Sequence, residues 1–279
     1  MTNRAGTQSY MPARQRRLIA DEATSPMDNS MLRLHPGLSV EIARWGSLLP
    51  IPQIVLLHEG LGSVSTWKDF PARLAQETGV GVVAYSREGY GRSSPLMDLG
   101  NPGYLEEEAK RLASVLDALE IDKAYLLGHS DGGTISLLAA AFHPDRISAV
   151  LVEAPHLYVE PETVAAVRAV GLSWENGPLR AALARHHQRP EPIFRRWHDL
   201  WTSGSFAESL DIREILPHIR CPLIAVQGAE DRFASSRQLA DIEHLVPSAN
   251  TIWLDGCGHE PHRTHPEAIL ALAKTLLDL

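Results

Sequence analysis

Along most of the chain, short apolar runs alternate with stretches whose apolar residues recur at helical spacing. Gln53 to His58, Val80 to Ser86, Ala124 to Leu127, Ala149 to Glu153, Leu223 to Gln227 and Thr251 to Leu254 read as buried strands. Helical patterns fall between most of them: Tyr104 to Leu119 with a glutamate-rich first turn, Thr134 to Phe142, Ser236 to Leu245 and Pro266 to Leu277. Strand and helix taking turns in this way predicts an α/β fold on a doubly wound, mostly parallel sheet. Such sheets bind ligands at the carboxyl ends of their strands, so the chemistry is expected just after each run.

Two stretches break the rhythm. Residues 1–30 are polar and without periodicity apart from Leu18-Ile19-Ala20, and they read as a loose N-terminal extension. Across 155–217, helical segments carrying Trp174, Trp197 and Trp201 follow one another without a strand, as an inserted helical cap would. The core is then expected in 31–154 and 218–279.

Composition narrows the partners. With 44% hydrophobic and 22% charged residues among 279, the chain is of ordinary globular type. Lys and Arg number 26 against 34 Asp and Glu, and this dispersed net charge of −8 leaves no basic footprint for nucleic acid or an anionic membrane. No stretch approaches the roughly 18 apolar residues of a membrane span. The arginine-containing N-terminus leads into Asp21 and Glu22 rather than an apolar secretory segment. Cys221 and Cys257 lie apart, with spacing for neither a disulfide framework nor zinc. The expectation is a cytoplasmic protein acting on a small molecule, without metal or cofactor.

The sharpest chemical signal is Leu127-Gly128-His129-Ser130-Asp131-Gly132-Gly133, an apolar strand that ends in Gly-x-Ser-x-Gly and runs into a helical pattern. A serine on so tight a strand-to-helix turn projects its hydroxyl into the cleft, and the flanking glycines avoid clashes with neighbouring backbone. The hydroxyl needs a base. His259 follows the last strand in the loop Gly256-Cys257-Gly258-His259, with His262 and His265 as rivals. The base needs an orienting carboxylate at another strand end, and Asp231 qualifies, with Glu153 as the rival. The oxyanion is expected to meet the N–H of Asp131 and a second N–H from His58-Glu59-Gly60-Leu61-Gly62-Ser63, Gly60 being favoured over Leu61.

These segments, with Arg87-Glu88-Gly89-Tyr90-Gly91-Arg92-Ser93 and the turn Gly228 to Asp231, resemble those of the α/β-hydrolase superfamily. The resemblance implies an eight-stranded, mostly parallel sheet, a lid after the sixth strand and cofactor-free hydrolysis through an acyl-enzyme. The chain departs from the family pattern at Glu59, where many relatives have Gly, and at Ser86, where many have Asp. A serine at the elbow, rather than aspartate, argues against relatives resembling epoxide hydrolases and haloalkane dehalogenases. The expected activity is serine hydrolysis of a small carboxylic ester, with thioesters or lactones as near variants. Carbon–carbon hydrolysis of dienoic ring-cleavage products is the alternative enzyme, and non-catalytic ligand binding the alternative of another class. Trp197 and Trp201, spaced i, i+4, are candidates for the substrate wall or for lid packing, and Arg195 and Arg196 for gripping an anionic or aromatic substrate.

Overall fold

In a computed structural model, which describes residue 26 and residues 28–47 and 53–278, the alternating runs become one sheet. Its strands are β1 (Asp28–His35), β2 (Leu38–Trp45), β3 (Gln53–Leu57), β4 (Val82–Tyr85), β5 (Ala124–His129), β6 (Ile147–Glu153), β7 (Leu223–Gly228) and β8 (Asn250–Leu254). They lie in the order β1-β2-β4-β3-β5-β6-β7-β8. The pairs β1/β2 and β2/β4 are antiparallel and the remaining pairs parallel. The helices are α1 (Phe70–Thr78), α2 (Tyr104–Ala118), α3 (Asp131–Phe142), α4 (Pro161–Asn176), α5 (Leu179–Leu183), α6 (Pro190–Trp201), α7 (Gly204–Ser209), α8 (Arg237–Leu245), α9 (Pro261–Thr264) and α10 (Pro266–Leu277).

The central strands read as continuous apolar runs because both faces are covered. Val55, Leu57, Leu126 and Val150 face the layer holding Leu112 of α2, Ile135 of α3 and Ile242 of α8. Their neighbours Ile54, Leu56, Leu127 and Leu151 face Leu74 of α1 and Ile269 of α10. Successive side chains thus serve opposite layers, as a period of two requires. Between β6 and β7, helices α4 to α7 run without a strand.

The sheet begins earlier than the sequence pattern predicts. β1 starts at Asp28, inside the stretch read as an extension, most of which lies outside the described residues. Half-buried Asp28, Ser30, Leu32 and Leu34 alternate with exposed Asn29, Met31, Arg33 and His35, so polar residues fall on both faces and no apolar run forms. Among the described residues, no helix is long and apolar enough to cross a membrane.

Candidate active site

Ser130 stands between β5 and α3 with φ 54° and ψ −118°, a conformation that costs a non-glycine residue on the order of 1–3 kcal/mol. The surroundings hold it there. Its N–H donates to the Glu153 carbonyl at 2.9 Å, and its carbonyl accepts the Thr134 N–H at 3.0 Å. The turn is tight enough to require bare backbone on each side. A Cβ on Gly128 would fall 2.2 Å from the Gly132 carbonyl oxygen, and one on Gly132 1.9 Å from that of Leu57.

Two loops converge on the serine. Asp231 ends the turn after β7 and His259 follows β8. His259 Nε2 lies 3.0 Å from Ser130 Oγ, and its Nδ1 lies 3.0 and 2.9 Å from the two Asp231 carboxylate oxygens. An acid accepting from Nδ1–H fixes the tautomer in which Nε2 accepts the serine hydroxyl. Burial works against the Asp231 charge, but the imidazole and the Phe233 N–H, 2.8 Å away, hold its pKa below the ordinary aspartate value.

The rival candidates are brought together elsewhere. Glu153, fully buried, accepts the His262 backbone N–H at 2.9 Å and its Nδ1–H at 2.8 Å. The His262 ring packs against Trp67 and Phe70. His265 bonds Thr264 Oγ1 at 3.0 Å in an exposed position.

The turn after β3 is fixed by Arg87, buried beneath it. The guanidinium donates to the carbonyls of His58 at 2.8 Å and Glu59 at 3.1 Å, and reaches Asp131 Oδ2 at 3.4 Å. His58 Nδ1–H also donates to the Glu59 carbonyl, at 2.7 Å. In a trans peptide the N–H points opposite to the C=O, so the Gly60 N–H faces away from Arg87. Burial and Arg87 keep His58 neutral, consistent with its Nε2 accepting the Arg87 N–H at 3.1 Å.

His129, His156 and Tyr104 are neighbours of the site that no feature of the sequence had marked. His129 Nε2–H donates to the His259 carbonyl at 2.7 Å, and its Nδ1 faces Glu59 Oε2 at 3.8 Å. Burial opposes the His129 charge, yet Glu59 and Glu153 raise its pKa to about 9. The His156 ring, 5.9 Å from that of His259, is pushed down to about 3 by burial and by His259. Tyr104 donates to Asp131 Oδ2 at 2.6 Å and accepts the Trp201 Nε1–H at 3.0 Å.

A cavity of about 640 Å³ opens onto Ser130 and His259, with both Trp197 and Trp201 in its wall. The Trp197 indole lies against the turn after β3: a Cβ on Gly60 would fall 2.4 Å from it. The two arginines beside Trp197 do not line this cavity. Arg195 pairs with Glu175 at the surface at 2.9 Å, and the Arg196 guanidinium carbon stacks 4.5 Å from the centre of the Tyr104 ring. Among the described residues, no group of three or more His, Cys, Asp or Glu is placed to hold a metal ion.

The sequence pattern described as the alpha/beta hydrolase family matches residues 54–272. The serine hydrolase BPHL of Mus musculus is 30% identical over 215 residues, 70% of this chain and 71% of its own length. The esterase YbfF of Escherichia coli is 25% identical over 241 residues, 81% of this chain and 92% of its own. Among solved structures, the enol-lactonase of Burkholderia xenovorans superposes with a TM-score of 0.71 at 19% identity, covering 90% of this chain and 100% of that one. At that identity the superposition speaks to the fold.

Proposed function

Because the chain belongs to the alpha/beta hydrolase family and is a hydrolase, we propose that it cleaves small carboxylic esters through an acyl-enzyme on Ser130. Ser130 Oγ bonds to the ester carbonyl carbon as His259 Nε2 takes the hydroxyl proton. The carbonyl electron pair moves onto oxygen, where the N–H groups of Asp131 and Gly60 meet the charge without having to reorient. The bond to the alcohol then breaks and His259 returns the proton to the leaving oxygen. Water repeats the sequence on the acyl-enzyme and releases the acid. Asp231 holds the ring and stabilises it while it carries the extra proton.

The observation that supports this reading most is the unbroken contact from Ser130 Oγ through His259 to Asp231, at 3.0 Å and 2.9 Å, on a serine held in a strained conformation. The complete set of three also speaks against a purely ligand-binding protein. Thioesters and lactones would follow the same route.

A fluorophosphonate probe should label Ser130, and Ser130→Ala should lower para-nitrophenyl acetate hydrolysis by about four to six orders of magnitude with unchanged melting. Labelling at another residue, or an alanine variant that keeps turnover, would overturn the proposal. Including a thioester, a lactone and a dienoic ketone in the same assay ranks the bond types.

A further inference from the structure

The mouth of the cavity is chemically unlike its interior. Val167, Val170, Leu179 and Leu183 make one wall apolar, whereas Lys68, Arg185 and Arg263 stand among the lining residues. Arg263 is paired with Glu260, and Glu59 is occupied with His129. Among the described residues, neither Lys68 nor Arg185 has a carboxylate partner, on a chain whose acids outnumber its bases by 34 to 26.

Lys68 is set in place by its backbone. Its φ of 55° and ψ of −123° nearly repeat the 54° and −118° of Ser130, and it caps the short 3₁₀ turn Val64–Trp67. Such strain persists where the surroundings enforce it, and it gathers at binding and catalytic positions. The charges converge as well. After burial, the neighbours that hold His186 below its ordinary pKa are Arg185, Lys68 and Arg263, while Glu59 acts in the opposite sense. Three cationic side chains therefore act on one point of the rim.

We propose that this rim is a subsite for an anionic group, a carboxylate or a phosphate, carried by the substrate while its ester carbonyl lies at Ser130. Lys68 and Arg185 supply the charge, and the apolar wall receives the hydrocarbon between the two ends. The proposal rests on the ester-hydrolase reading for its position relative to the carbonyl, but the anion subsite can be tested without turnover.

The binding test uses the Ser130→Ala protein and calorimetry with monomethyl adipate against methyl hexanoate, which carries no charge. The half-ester should bind about tenfold more tightly, the scale that two partly exposed ion contacts supply together, and the advantage should shrink in high salt. The kinetic test compares para-nitrophenyl hexanoate with the mono-para-nitrophenyl ester of adipate, which differs by one carboxylate, and with the ω-phosphonohexanoate ester. The larger kcat/KM of the two charged esters identifies the anion.

Lys68→Gly suits the positive φ, so it should melt no lower than the parent protein, and combined with Arg185→Gln it should remove about tenfold of the preference for anion. Arg195→Gln, off the cavity, should leave the preference intact. Equal binding of monomethyl adipate and methyl hexanoate, or a double variant that loses both nitrophenyl esters in the same proportion, would overturn the subsite. Failure to cleave any ester with monomethyl adipate still preferred in binding would instead overturn the hydrolytic reading.

Discussion

Glu153 and Asp231 compete in the sequence for one role, and the structure gives them separable consequences. Glu153→Ala removes the acceptor of two hydrogen bonds from His262, at 2.9 and 2.8 Å, in a site without exposure to water. Leaving two buried donors unpartnered costs about 1–3 kcal/mol each. Breaking a buried pair by deleting one member costs about 3–5 kcal/mol, so the two routes agree near 4. At about 2–4 °C per kcal/mol for a domain of this size, melting should fall by about 10 °C. Glu153→Gln keeps an oxygen acceptor and should recover part of the loss. Turnover by the folded fraction should change little beside that of Asp231→Asn, which should lose about 10⁴ in kcat while melting within a few degrees of the parent. The assays are thermal melting and para-nitrophenyl acetate hydrolysis below the lower melting temperature. A Glu153→Ala protein that melts with the parent yet loses a thousandfold in kcat would refute this assignment of roles.

Stability should fall with acid in a way that Glu153 partly controls. Burial opposes its charge but His262 lowers its pKa, and His259 does the same for Asp231, so each contributes stability that is complete above the unfolded carboxylate pKa, about 4, and is lost as pH falls through the lowered value. Buried Asp131 and Glu108, whose pKa values are raised, act in the opposite direction. Melting followed from pH 7 to 3 should therefore drop below about pH 4, and less steeply in Glu153→Gln; identical slopes would count against the argument. Trp197→Ala opens space beside Gly60 and should shift kcat/KM toward bulky acyl esters, at a stability cost of about 3–5 kcal/mol. An equal loss on short and bulky esters would leave packing as the whole role of Trp197.

The core strands β3 to β7 were legible because burial on both faces leaves an apolar run in the sequence. β1 and β2 were not. β1 is only half buried, and β2 carries Glu41, a buried carboxylate that accepts hydrogen bonds from Ser86 and Arg92 and so breaks the apolar signature. Ser130, Asp231 and His259 could be read from their places after strands and from their chain order. The pairing of Glu153 with His262 could not, because 109 residues separate them and only the folded sheet brings them together. The same holds for Tyr104, whose hydroxyl meets Asp131 and Trp201 from a helix that the sequence marked merely as amphipathic. Arg195 and Arg196 show the converse: adjacent charges on one helix, sent to different surroundings by a 100° rotation between neighbours.

Helix α6 bears on the candidate site at two points one turn apart, Trp197 against Gly60 of the turn after β3 and Trp201 through Tyr104 to Asp131 of the serine elbow. It therefore behaves as a two-toothed latch on the floor of the cavity, and a change at either tooth is felt by the two residues proposed to meet the developing charge. Lys68 and Arg185 are exposed residues at the rim, with no such hydrogen-bonded connection to that floor. The molecule is thus divided into a hard zone, where novelty is purchased with rate, and a soft zone, where it is not. Substrate range can drift at the rim over generations, or be steered there in the laboratory, while the latch stays closed.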